Sequence, residues 1–72
     1  MTFNVIVTCN SGTRKNVIEK VKEFKDIKNI QQRKNENELL LEIDSNDAKY
    51  VSNNVVNRIK DFEDVADATM ES

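Results

Sequence analysis

Apolar residues along this chain switch between two periods, and the switches divide it into six elements. Thr2–Cys9 alternates, with Phe3, Val5, Val7 and Cys9 set against Asn4, Ile6 and Thr8. That is the period of a strand with one face on a core. Asn10–Thr13 turns the chain. Gly12 is the only glycine, and Ser11 or Thr13 is expected to cap the helix that follows. There Val17, Ile18, Val21 and Phe24 fall at i, i+1, i+4 and i+7, a single apolar stripe. Lys15, Glu19, Lys22 and Glu23 keep mostly to the wet side, where Glu19 can pair with a lysine one turn away. After Lys25–Asp26, Ile27–Arg33 reads as a polar, basic edge strand with Ile27 and Ile30 as its apolar residues. Lys34–Asn37 is a predicted hairpin turn, because Asn tolerates positive φ. Glu38–Ile43 is a strand with Leu39, Leu41 and Ile43 on one face and Leu40 and Glu42 on the other. Asp44–Asp47 is dense in capping residues. A second helix carries Ala48, Val51, Val55, Ile59 and Phe62 in its stripe, flanked by Tyr50 and Val56. Val65–Met70 is the closing strand, and Glu71–Ser72 is expected to fray.

The order is βαββαβ, and its halves are copies. Residues 16–30 are echoed by residues 54–68, with Asn16/Asn54, Val17/Val55, Lys22/Lys60, Phe24/Phe62 and Asp26/Asp64 identical. Ile18/Val56, Lys20/Arg58, Val21/Ile59, Glu23/Asp61 and Ile27/Val65 are chemically matched. Each half makes a right-handed βαβ crossover. Interleaving the two gives an α+β, ferredoxin-like fold over residues 1–72 as one domain: a four-stranded antiparallel sheet, order 4-1-3-2, with both helices on one face.

That arrangement leaves the other face open. Ile6 and Leu40 meet at its centre, among Asn4, Thr8 and Glu42. Burying both is worth on the order of 3–5 kcal/mol per subunit before association costs. A 72-residue chain supplies a modest core, so stabilisation by a partner subunit is expected. The expected homo-oligomer interface is therefore Asn4, Ile6, Thr8, Leu40 and Glu42.

Composition removes several functions. Cys9 is the sole cysteine and histidine is absent, which excludes an internal disulfide and argues against a zinc site. One unpaired thiol suits the cytoplasm, the expected location. The longest apolar runs, Val5–Val7 and Leu39–Leu41, fall far below the roughly 20 residues of a membrane span. Net charge is −2, but residues 1–36 carry eight Lys/Arg against four Asp/Glu, and residues 37–72 three against nine. Opposite halves attracting within the fold, or subunits pairing head to tail, explain this more simply than a phosphate-binding face.

Candidate chemistry is sparse. Cys9 has no histidine to activate it and reads as a small buried hydrophobe. Asn10-Ser11-Gly12-Thr13, beside Arg14 and Lys15, has one Gly and no Gly-Lys-Ser/Thr ending, so it reads as a capped helix start. Glu36, Glu38, Glu42, Asp44 and Asp47 lack calcium-loop spacing. No catalytic, metal or cofactor residues are expected, and the chain reads as a non-enzyme. Lys22, Lys25, Lys28, Arg33 and Lys34 form an alternative stripe for RNA or another anionic polymer. Stacked sheet aromatics of the RNA-binding kind are missing, since Phe3, Phe24 and Phe62 occupy core positions and Tyr50 a helix. Nucleic acid is therefore a disfavoured partner.

With these elements placed, residues 3–70 resemble the small regulatory (RAM/ACT-like) domain of the Lrp/AsnC regulators, also found free-standing. The resemblance rests on the strand Phe3–Cys9, the helix Val17–Phe24 before Asp26-Ile27, and the closing run from Val55 to Met70. It implies pairing through the sheets and a small-molecule ligand, an amino acid, between subunits. The hairpin Asn35-Glu36-Asn37-Glu38-Leu39 has no Gly where the family has one, and no ligand-binding residue is carried over. The fold is also similar to that of signal-peptide-binding chaperones of the NapD type, and the opening FNVIVTC to THUMP RNA-binding modules. The combined expectation is a regulatory, ligand-sensing or oligomerisation module.

Overall fold

Thr2–Cys9 (β1), Ile27–Gln32 (β2), Glu38–Asp44 (β3) and Val65–Glu71 (β4) form one antiparallel sheet in the computed structural model, which describes residues 1–71. The strand order is β2-β3-β1-β4, the expected order read from the opposite edge. Val5, Val7, Leu39, Leu41 and Ile43 point to one side and are fully buried. Val17 and Val21 of the first helix join them, as do Val51, Val55, Val56 and Ile59 of the second. Both helices therefore cover the same face, and the fold is ferredoxin-like.

The elements follow their local chemistry, with departures at several points. The first helix is Arg14–Val21, one turn shorter than the apolar stripe predicts. Phe24 lies past its end in the connection and still packs half-buried on the core. Thr13 stands at the N-cap without a capping bond. Its hydroxyl donates instead to the Asn10 carbonyl at 2.7 Å and the Asp64 carbonyl at 3.1 Å, tying this loop to the start of β4. The hairpin needs no left-handed Asn. Among the described residues only Gly12 has positive φ, at 78°, and Asn35 shapes the turn by accepting from the Asn37 N–H.

The second helix is the larger surprise. Asp47 caps it as expected, its Oδ1 accepting from the Lys49 and Tyr50 amides. After Ala48–Tyr50 the chain widens into a π-helix over Val51–Val56, then tightens again over Asn57–Lys60. In a regular α-helix Val56 would sit about 140° around from Val51. An i→i+5 turn stacks it one turn above Val51 instead. Val51, Val55 and Val56 are thereby all buried, so a residue expected to flank the stripe becomes part of it. At the chain end Glu71 continues β4, rather than fraying, and Ser72 lies outside the described residues.

Candidate functional site

The open face is set by register. Ile6 of β1 lies directly opposite Leu40 of β3, with Thr69 of β4 and Gln31 of β2 beyond them. This gives a central row Gln31–Leu40–Ile6–Thr69. One pleat along is Asn29–Glu42–Asn4–Glu71. One pleat the other way, Glu38, Thr8 and Asp67 are aligned, and Arg33 joins Glu38 by backbone bond and ion pair. Ile6 and Leu40 are half-buried and stand outside the core cluster.

The five residues expected at the interface, Asn4, Ile6, Thr8, Leu40 and Glu42, thus share one patch. Sequence reasoning missed the rest of its rim: Glu38, Asp67 and Glu71, with Thr69 and Gln31 between. The alternation Asp67, Thr69, Glu71 was a usable signal. Placing it required the irregularity between Thr8 and Cys9 that lets β4 skip a residue. Electrostatically the patch is an apolar pair inside a ring of four carboxylates. Arg33 Nε approaches Glu38 Oε1 at 3.2 Å, and Gln31 Nε2 donates to Glu42 Oε1 at 3.3 Å.

The residues of the alternative basic stripe line three different hollows. Lys22 and Lys28 share a shallow hollow beside β2. Arg33 and Lys34 lie at the hairpin, and Lys25 lines a different hollow near the second helix. Two of the five are already paired: Lys22 Nζ with Glu19 Oε1 at 3.5 Å and Arg33 with Glu38. The β2 edge is also blunted. The Ile30 amide is taken by the Asn29 side chain at 3.0 Å, next to an irregular step between Ile27 and Asn29.

Lys25 belongs to a hollow of about 380 Å3 also lined by Phe24, Asp26, Tyr50, Asn54 and Arg58. Tyr50 is 41% exposed, and its hydroxyl donates to Asp26 Oδ2 at 2.9 Å. That bond raises the Tyr50 pKa above its ordinary value, and the Asp26 charge raises it further. Arg58 lies over the Phe24 ring. Asn54 Nδ2 donates to the Tyr50 carbonyl at 3.3 Å.

Cys9 is buried, and burial raises its thiol pKa, with Arg14 opposing and Asp64 adding to the shift. Arg14 itself is engaged, donating to Gln32 Oε1 at 2.7 Å and to the Asn35 carbonyl at 3.3 Å. Among the described residues no cluster of three or more His, Cys, Asp or Glu is arranged to hold a metal ion. No helix among them is long and apolar enough to cross a membrane.

No family model matches this chain, and no curated protein matches it. Among solved structures it is similar to the crystal structure of FFRP-DM1, with a TM-score of 0.69 and 13% identity over 99% of this chain and 96% of that one. FFRP denotes a feast/famine regulatory protein of the Lrp/AsnC family. At that identity the likeness establishes a shared fold along the whole length.

Proposed function

We propose that this chain is a non-enzymatic regulatory or oligomerisation module that works by association through the open face of its sheet. The observation that carries the reading is the Ile6–Leu40 pair, two bulky side chains opposed at the centre of a sheet face with no helix over it. Both are already half-buried by their neighbours. The apolar area left to remove from water is then worth roughly 2–3 kcal/mol per subunit, less than full burial would give. Complementary polar contacts must supply the remainder. The fold shared with a regulatory protein fits a module whose task is assembly.

Sedimentation equilibrium at tens of micromolar tests this. The chain is expected to run as a dimer or larger, and Leu40→Asp to shift it to monomer while leaving the far-ultraviolet circular dichroism unchanged. A monomeric wild-type mass would overturn the reading. The second reading, binding to RNA or another anionic polymer through Lys22, Lys25, Lys28, Arg33 and Lys34, has two of its five cations already engaged with carboxylates.

A further inference from the structure

The two edges of the sheet are finished differently. At the β2 edge the Ile30 amide is taken by the Asn29 side chain at 3.0 Å, beside an irregular step between Ile27 and Asn29. Such features stop another strand from adding. The opposite edge, β4, is left open along most of its length. Its irregularity is confined to the start, opposite Thr8 and Cys9, and the residues from Asp67 to Glu71 then pair with β1 in regular register. We infer that this edge takes up an extended, basic segment of a partner polypeptide as an added strand, antiparallel to β4. The surface is separate from the Ile6–Leu40 centre, and the inference goes beyond association through the open face.

The backbone supplies the hydrogen bonds. At the end of β1 the Asn10 amide donates to the Asp64 carbonyl on one side, and the Cys9 amide to the Asn37 carbonyl on the other. Backbone groups alternate in direction along a strand, so Asn4, Ile6 and Thr8 turn theirs toward β4. Their partners Glu71, Thr69 and Asp67 point inward. The N–H and C=O groups of Ala68 and Met70 therefore point out to the free edge. Among the described residues nothing takes up these groups. An antiparallel strand laid along the edge satisfies all of them.

The side chains supply the charge. From Asp61 to Glu71 the chain holds five carboxylates and no lysine or arginine. Asp67 and Glu71 stand on the open-face side of β4 with Thr69 between them, whereas Ala68 is buried on the other side and Met70 half-buried. Residues of the added strand opposite Asp67, Thr69 and Glu71 form non-hydrogen-bonded pairs, whose side chains lie closest. The complementary sequence is therefore cation, apolar, any residue, apolar, cation. The cations answer Glu71 and Asp67, and the apolar residues extend the core layer beside Met70 and Ala68. The same acidity turns away a second β4. Antiparallel pairing of two such edges about Thr69 sets Asp67 against Glu71, and like charges directly opposite destabilise a pair.

Amide hydrogen exchange on the full chain tests this, with the end-blocked peptide Ser-Thr-Lys-Val-Thr-Val-Lys-Thr-Ser as the probe. In the protein alone the Ala68 and Met70 amides are expected to exchange fast for strand amides, and saturating peptide to slow both at least roughly fivefold, more than Asp67 or Thr69. Replacing both peptide lysines by glutamate is expected to raise Kd about three- to tenfold. Methylating the two valine nitrogens of the peptide leaves its side chains and charge but removes the donors to the edge carbonyls, and is expected to abolish binding.

Asp67→Lys, at an exposed position, tests register and direction together. It is expected to reverse the preference for lysine over glutamate at the second of the two peptide lysines and to leave the preference at the first. An unchanged preference at both places the peptide elsewhere and overturns the inference. So does equal binding by the methylated or the glutamate peptide, or unaltered exchange at Ala68 and Met70. Protection of those two amides that rises with protein concentration in the absence of peptide would mean that a second copy covers β4, which also overturns it. None of these results bears on the mass in solution, by which the open-face reading stands or falls.

Discussion

Phe24 and Phe62 meet edge to face, their ring centroids 5.9 Å apart and their planes at 85°. They are the matching residues of the two sequence repeats. The matching cations cross over: Lys20 lies over the Phe62 ring at 5.7 Å and Arg58 over the Phe24 ring at 5.8 Å. Each half-unit thus places its cation on the other half's aromatic ring. Edge-to-face pairs contribute about 0.5–1.5 kcal/mol beyond area burial. A double-mutant cycle with Phe24→Leu and Phe62→Leu, measured by urea denaturation, is expected to show coupling in that range. Phe62→Ala alone is expected to cost about 2–3 kcal/mol, below the loss at a fully buried ring because Phe62 is half-buried. Strictly additive single losses would mean that the two rings act only as bulk.

Tyr50 is the sole tyrosine, so its ionisation can be followed by ultraviolet absorbance without interference. Its hydroxyl donates to Asp26, and both the bond and the carboxylate charge oppose loss of the proton. The folded-state value lies above the ordinary 10.0. The bond is therefore fully present below the unfolded tyrosine's value and is lost as pH rises through the folded one. Asp26→Ala is expected to return the titration toward the ordinary value, and Asp26→Asn to lower it part of the way, by removing the charge while keeping an acceptor. A midpoint unmoved by Asp26→Ala would show that the Tyr50–Asp26 bond does not hold in solution.

Asp47 carries the start of the second helix, with one carboxylate oxygen on two backbone amides. Removing such a cap costs about 1 kcal/mol. The loss at Asp47→Ala is expected to be near that figure, and Asp47→Asn should recover most of it. Thr13→Ala has a different expected origin of damage: its hydroxyl holds loop carbonyls, not helix amides. A weakened start of β4, read by hydrogen exchange at Val65, should accompany any loss at Thr13, whereas Asp47→Ala should leave that amide's protection unchanged relative to global stability.

Much of this architecture could be read from the chain because its signals were local. Alternation in β1 and β3 fixed which side chains face the core, and the repeat at residues 16–30 and 54–68 fixed the topology. What could not be read depended on distant partners. The run Val51–Val56 has no local mark of a π-helix, since the wider turn follows from where Val56 can be buried. Phe24 continues the helical stripe in sequence, yet the helix stops at Val21 and the ring reaches the core from the connection. The Ile6–Leu40 centre of the open face was visible, whereas its rim was not. Asp67 and Glu71 join the rim only through the pairing of β4 with β1.

The reactivity of Cys9 can be tested through pH. Burial is the main cause of its raised pKa, Arg14 opposes it, and Asp64 adds to it. A raised value means that the fold favours the neutral thiol. Its contribution to stability is therefore complete below the unfolded thiol's value and is lost as pH rises through the folded one. At neutral pH, labelling by a chromogenic disulfide reagent is expected to be slow in native buffer and to accelerate in urea along the unfolding curve. Stability should fall above about pH 9 in the wild type, and this part of the fall should vanish in Cys9→Ala. Cys9→Ser places a hydroxyl among apolar neighbours and is expected to cost about 1–3 kcal/mol. Rapid native labelling at neutral pH, at a rate independent of urea, would instead mark Cys9 as an accessible thiolate and reopen the case for a nucleophile.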